Sequence, residues 1–297
     1  MERPNYARFF GLKDHPFRLT PETRYFFPSR SHQQALEVLS FGIENGEGFL
    51  VLVGEPGSGK TMLLRLLLKR LPENLETAIL LTTNLSPREI IEAVLEDLGL
   101  EPPAKASKEG LWRLFRDHLL SLAEEGRRLL LVIDEAQNLP EESLEELRLL
   151  SNLEGEDRKL LQILLAGQPP LAQKLLSSAL AQLFQRITIW QEISGLEREE
   201  LPAYLNYRLT KAGGLPLSLE KRALDLLYGL SRGLPRLVNK IMDRTLLLMA
   251  AEEERSLRAA FIKEAWETFG PQKSSRWEGL LKKVPWFYLH YAWLPFG

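Results

Sequence analysis

The sequence predicts an α/β fold: a five-stranded parallel sheet wound with helices, followed by a small all-α domain. Three observations lead there. Short apolar runs rich in β-branched residues alternate with helical patterns between residues 49 and 190. A glycine-rich loop joins the first such run to a helix. From about Gly195 the strand signal ends and only helical patterns follow.

Residues 1–30 are rich in aromatics and prolines with no clean period and read as an extended, packed lead-in. Ser31-His32-Gln33-Gln34 reads as a capping box that starts a helix ending near Asn45, before Gly46. Phe49 to Val53 is continuously apolar, as a strand buried on both faces must be. A Leu-rich helix to about Leu71 comes after the glycine loop, then a strand from Ala78 to Leu81. Ser86-Pro87-Arg88-Glu89 reads as a second capping box, with proline at the first helical position, opening a helix to about Leu98. A helix from Lys108 to Ala123 leads to the strand Leu129–Ile133, and a helix over Pro140–Leu150 to the strand Leu160–Ala166. Helical material around 171–183 precedes a short fifth strand, Ile187–Trp190. Helices then fill 199–211, 220–230, 235–251 and 259–269. The domains expected are 1–194, a core with its lead-in; 195–270, helical; and 271–297, a linker and an aromatic terminal segment.

Composition narrows the chemistry. The 297 residues carry 38 basic and 40 acidic side chains, a net charge of −2, with 44% hydrophobic and 26% charged residues, which is ordinary for a globular chain with a large core. With no cysteine there is no disulfide framework and no thiolate metal site or nucleophile, and only four histidines remain for imidazole chemistry. Zinc enzymes and cysteine hydrolases are thereby excluded. No run of about 18 uncharged apolar residues marks a membrane span. The balanced charge does not suit a protein that coats DNA, although a local basic stripe is compatible with it.

Gly54-Glu55-Pro56-Gly57-Ser58-Gly59-Lys60-Thr61 matches the phosphate-loop pattern, with Met62 following. Its glycines let backbone N–H groups turn towards phosphate oxygens, Lys60 would reach the β- and γ-phosphates, and Thr61 would ligate Mg²⁺. The loop lies between a buried strand and a helix, the context this pattern requires. Asp134 and Glu135 end the strand Leu129–Ile133, at the edge where parallel sheets bind ligands. Asp134 would hold Mg²⁺ and Glu135 would polarise an attacking water, a pair that suits hydrolysis better than transfer to a hydroxyl acceptor. Gln168, after the fourth strand, is a candidate contact for the γ-phosphate or water, and Asn84, after the second, a candidate partner of Glu135. Arg186 and Arg236 are candidates to neutralise charge on the γ-phosphoryl group.

Several ordered blocks extend this pattern. They are Phe10-Gly11-Leu12 with His15-Pro16-Phe17 and Thr20-Pro21; Asp134-Glu135-Ala136-Gln137-Asn138-Leu139; Leu149-Leu150-Ser151-Asn152-Leu153; Gly167-Gln168-Pro169; Gln185-Arg186-Ile187; and Gly233-Leu234-Pro235-Arg236. Through them, from about Phe9 to Phe269, the chain resembles the ExeA/GspA family of AAA+ ATPases, associated with general secretion and with pilus or exopolysaccharide export. The resemblance implies an AAA+ P-loop core of five parallel strands with a helical lid. It implies ATP and Mg²⁺ as ligands, ATP hydrolysis, and an ATP-dependent homo-oligomer, ring or helical. Arg186 would be a finger reaching a neighbouring subunit's nucleotide, Arg236 the lid sensor, Gln168 the first sensor, and Pro16 and Phe17 would pack near the adenine. The implied location is cytoplasmic, peripheral at the inner membrane, with an export-machine or membrane-protein partner. Related transposition ATPases of the TniB/TnsC kind share the core, so a duplex-DNA adaptor is the main rival, with a small-molecule phosphate-loop kinase third.

Between residues 284 and 297, six of 14 side chains are aromatic (Trp286, Phe287, Tyr288, Tyr291, Trp293, Phe296). Lys282 and Lys283 ahead of them suit an anchor at a membrane surface. Folding back on the chain, or into a neighbour's groove, is the other expectation.

Overall fold

The computed structural model describes residues 6–81, 84–102, 106–153 and 159–268. The expectations placed on the linker and on residues 284–297 fall outside them. The first part of the chain runs α1 (Tyr6–Phe10), α2 (Arg30–Glu44), β1 (Phe49–Gly54), α3 (Lys60–Leu68), β2 (Leu75–Leu80), α4 (Pro87–Asp97), α5 (Lys108–Glu124) and β3 (Arg128–Ile133). It continues with α6 (Glu141–Leu150), β4 (Leu161–Gly167), α7 (Pro169–Leu175), α8 (Ala181–Phe184) and β5 (Ile187–Ile193). The helical part comprises α9 (Leu201–Lys211), β6 (Ser218–Leu219), α10 (Lys221–Ser231), α11 (Pro235–Ala251), β7 (Ser256–Leu257) and α12 (Ala259–Glu267).

β1 to β5 form one parallel sheet in the order β2-β3-β4-β1-β5. Side chains alternate across it with period two. Phe49, Val51, Leu129, Leu131, Ile163 and Leu165 face the cluster containing α4 to α7. Leu50, Leu52, Leu130, Val132, Leu164 and Ala166 face α2 and α3. Because both faces are covered, the inner strands are apolar: β1 reads as an unbroken hydrophobic run, and β4 is interrupted at Gln162, whose buried amide donates to Glu47 O at 2.8 Å. β5 differs. It is an edge strand whose outer residues include Gln191 and Glu192, so the apolar run in the sequence stops at Trp190 while pairing with β1 continues to Ile193.

Local chemistry sets the helix starts. Ser86 and Glu89 cap α4 reciprocally, as the sequence predicts. α2 begins earlier than predicted: Ser29, not Ser31, is its N-cap, accepting from the backbone N–H of His32. Ser31 instead accepts a hydrogen bond from the backbone of Ser194, tying α2 to the end of β5. The helical part is not purely α, since β6 and β7 form a two-residue parallel bridge that pins the starts of α10 and α12.

The lead-in packs with the helical part. Tyr6, Phe10, Phe17 and Tyr25 share a buried core with Leu205, Leu227, Ile241 and Phe261. The Tyr6 hydroxyl donates to Asp243 at 2.5 Å. Among the described residues no helix is long and apolar enough to cross a membrane.

Leu131 is fully buried at the centre of β3. Leu131→Ala is expected to cost about 2–5 kcal/mol through lost burial and the cavity left behind, read as a lower urea midpoint with an unchanged slope.

Candidate functional site

β1 ends at Gly54 and α3 begins at Lys60, so the intervening loop lies at the carboxyl edge of the sheet. Two positions in it need glycine. Gly57 (φ 81°) and Gly59 (φ 113°) are left-handed, and a Cβ at either would come within 2.7 Å of a neighbour, Arg236 and His32 respectively. The loop curls around its own lysine: Lys60 Nζ donates to the carbonyls of Gly54 (2.8 Å) and Glu55 (3.3 Å). Lys60 is buried, 5% exposed. Burial lowers its pKa, while Glu135, Asp134 and Glu55 oppose the shift. Among the described residues the ammonium's hydrogen bonds go to neutral carbonyls, which leaves its charge ready to receive an anion.

Thr61, the second residue of α3, donates from Oγ1 to Asp134 Oδ2 at 2.9 Å. Asp134 is buried, and its other oxygen accepts from the backbone N–H of Glu135 at 2.9 Å. Glu135 occupies left-handed backbone (φ 54°), a conformation a non-glycine residue holds only when its surroundings fix it. Two amides do the fixing. Glu135 Oε2 accepts from Gln137 Nε2 (2.6 Å) and from Gln168 Nε2 (2.8 Å), while Gln137 Oε1 accepts the backbone N–H of Gln168 (3.0 Å).

The loop and these carboxylates border a cleft of about 390 Å³ between the sheet edge, the lead-in and the helical part. Pro56 to Met62, Glu135, Gln168 and Arg236 line it, with Tyr25, Phe27, Tyr204 and Arg208. Lys60, Thr61, Glu135, Gln168 and Arg236 are thus brought together, and Asp134 reaches the cleft through Thr61. Gly54 and Glu55 contribute carbonyls to Lys60. The backbone N–H of Arg236 donates to Gly57 O at 3.2 Å, docking α11 on the loop. Arg186 does not line this cleft. Its guanidinium donates to Ser151 Oγ at 3.0 Å. Asn84 is exposed, and the amides on Glu135 are those of Gln137 and Gln168, so the suggested Asn84–Glu135 pairing is not formed.

Three contributors escaped the sequence reading. Gln137 lies inside the Asp134–Leu139 block, where only its spacing from Glu135 could have suggested it. Arg208 is one of several arginines in a helical pattern. His32 was absorbed into the expected capping box, yet its Nε2 donates to Ser58 O at 2.7 Å and its Nδ1 meets Ser29 Oγ at 2.6 Å. A carbonyl can only accept, so Nε2 carries the proton and Nδ1 accepts from the serine.

Burial holds the pKa of His32 below its ordinary value of 6.5. Below that pH the unfolded chain takes up a proton that the folded chain resists, so stability is full above about 6.5 and falls on acidification. The thermal midpoint is expected to drop between pH 7.5 and 5.5 in the native chain, and to drop less in His32→Gln, as differential scanning fluorimetry across that range would show.

The comparisons agree with this architecture. A family model for the AAA domain matches residues 43–175. General secretion pathway protein A of Aeromonas hydrophila is 39% identical over 274 residues, covering 92% of this chain and 50% of the relative, so the chain spans about half the length of that protein. Among solved structures, Cdc6p from Pyrobaculum aerophilum superposes with a TM-score of 0.67 at 19% identity, over 92% of this chain and 75% of the other. The ORC2 protein of Aeropyrum pernix, in ADPNP and ADP complexes, gives 0.61 at 18% identity over 92% and 76%. By fold and by sequence, the chain therefore belongs to the AAA proteins similar to General secretion pathway protein A.

Proposed function

We propose that the chain binds ATP with Mg²⁺ in this cleft, hydrolyses it to ADP and phosphate, and couples turnover to subunit assembly and to remodelling or assembly of a secretion machine. The observation that carries the reading is the meeting, at one sheet edge, of the buried Lys60 ammonium, the Thr61–Asp134 pair and the fixed Glu135 carboxylate. A hydroxyl and a single carboxylate are hard oxygen donors, the set Mg²⁺ takes from a protein when phosphate oxygens and water supply the rest. Bound there, Mg²⁺ would neutralise charge on the phosphate oxygens.

In this reading the loop backbone and Lys60 grip the phosphates, Gln168 and Arg236 approach the γ-phosphoryl group, and Glu135 orients the attacking water and takes its proton. The paired amides on Glu135 aim the carboxylate and keep it from swinging away. Arg186 is half-buried outside the cleft, which supports its use as a finger donated to a neighbour's site in a homo-oligomer. The secretion role rests on the similarity to General secretion pathway protein A, and a location at the inner membrane is part of the same proposal.

Lys60→Ala is expected to abolish tight ATP binding, whereas Glu135→Gln should retain ATP and lose at least 100-fold, an order-of-magnitude figure, in turnover. Calorimetry and phosphate release separate the two, and normal turnover by Glu135→Gln would remove the carboxylate from the chemistry. Specific activity should also rise with protein concentration. Inactive Arg186→Ala and inactive Glu135→Gln chains should recover activity when mixed, because some interfaces then pair an intact site with an intact finger. Concentration-independent turnover by a monomer in analytical ultracentrifugation would exclude the finger.

A further inference from the structure

A second polar chain enters the cleft from the helical side, and its direction is fixed by its first member. Arg208 on α9 is 6% exposed, and its guanidinium lies among the rings of Tyr25 (4.9 Å), Tyr204 (5.7 Å) and Phe17 (5.9 Å). It donates to the carbonyls of Pro16 and Arg18 and, from Nη1, to the Tyr204 hydroxyl at 3.2 Å. A guanidinium can only donate, so the phenol oxygen accepts there and turns its single proton elsewhere. That proton goes to Asn239 Oδ1 at 2.7 Å. Burial raises the pKa of Tyr204, so the phenol stays protonated. The amide of Asn239 is therefore oriented: its oxygen is taken, and its Nδ2 faces onward with two protons.

Asn239 is 6% exposed and lines the cleft, and among the described residues no hydrogen bond occupies its Nδ2. That nitrogen is not sealed from solvent, so it opens onto the cleft as a donor that a ligand's acceptor can meet. Its place along α11 indicates which part of a ligand that is. Asn239 follows Arg236 by three residues, on the same helix face and about 4.5 Å further along the axis. Arg236 itself sits on Gly57 of the phosphate loop. The walls beyond the loop are the flat rings of Tyr25, Phe26, Phe27 and Tyr204, which suit a planar heterocycle better than a sugar or a phosphate.

We propose that Asn239 reads the base of the bound nucleotide, donating from Nδ2 to a ring nitrogen of adenine, and that Arg208 and Tyr204 are positioning residues that hold its amide in that sense. The inference rests on the nucleotide-binding reading above. It adds a specificity determinant on the helical part that is set by the lead-in, because the carbonyls of Pro16 and Arg18 anchor the arginine that begins the relay.

The test is equilibrium binding by calorimetry with Mg²⁺ and five probes: ATP, tripolyphosphate, and the 1-, 3- and 7-deaza analogues of ATP. In the native chain one deaza analogue should bind about tenfold more weakly than ATP and the other two like ATP. In Asn239→Ala that discrimination should vanish. Asn239→Asp, which replaces the donor by an acceptor of the same shape, should weaken ATP at least tenfold and leave tripolyphosphate within twofold. Tyr204→Phe should weaken ATP by a smaller factor by releasing the amide. Equal binding of all three analogues and ATP to the native chain overturns the assignment without calling on any variant. So does an equal loss of ATP and tripolyphosphate in Asn239→Asp. If the native chain binds neither ATP nor tripolyphosphate, the nucleotide reading itself falls, and this one with it.

Discussion

The position of β4 between β1 and β3 is the constraint on which the site depends. β1 carries the phosphate loop and β3 carries the acidic pair, but they are not neighbours. The strand between them must therefore end level with both and deliver something useful into the gap. β4 pairs with β1 as far as Val53↔Gly167 and with β3 as far as Ile133↔Leu165, so the next residue, Gln168, emerges between Lys60 and Glu135. Its amide is spent on Glu135 because the register leaves that carboxylate beside it. The Thr61–Asp134 hydrogen bond crosses the same gap and ties α3, which follows β1, to the end of β3, a strand that shares no ladder with β1.

Around this gap the polar groups are costly to bury and are held from several sides. Lys60 is sequestered and compensated by carbonyls of its own loop. Glu135 sits in left-handed backbone that is worth of order 1–3 kcal/mol of strain, and three hydrogen bonds, one through its N–H and two through Oε2, fix it there. His32 braces the outer side of the loop at Ser58, so α2 serves as a buttress for the binding loop as well as a cover for the sheet. Lys174 on α7 donates to the carbonyls of Gln137 and Leu139, which locks the segment carrying the second amide. Such over-determination is what preorganised electrostatics requires, since groups already in place need not reorganise when charge develops.

Much of this was legible in the sequence because it depends on local patterns. The buried strands announce themselves as apolar runs, the phosphate loop by its glycines, and α4 by Ser86 and Glu89. What was not legible depends on contacts between distant residues. The N-cap of α2 could not be assigned to Ser29 over Ser31 because both are serines at a plausible distance, and the choice falls to His32, which needs Ser58 from another element. β5 is longer than its apolar run because an edge strand may be polar outside. Asn84, after the neighbouring β2, is as plausible by sequence as Gln137, because nothing local discloses which amide the turn after β3 brings to the Glu135 carboxylate. The packing of the lead-in against the helical part is invisible to any periodicity, since it joins residues more than 170 positions apart.

That last feature bears on how the molecule is made. Tyr6 to Tyr25 leave the ribosome long before their partners, which begin at Leu196 and extend to Ile262. Translation at about 5–20 residues per second leaves these aromatics without their native core for roughly ten seconds or more, while the sheet between them can already form. During that interval the nascent chain displays an uncovered apolar segment next to a nearly finished domain. Closing the helical core brings two segments distant in sequence together late, with a large loop entropy already committed by the sheet. The cleft, walled partly by these residues, is therefore complete only after the helical part has packed on them. In a nascent chain the cleft's aromatic wall takes its place only once the helical part has emerged.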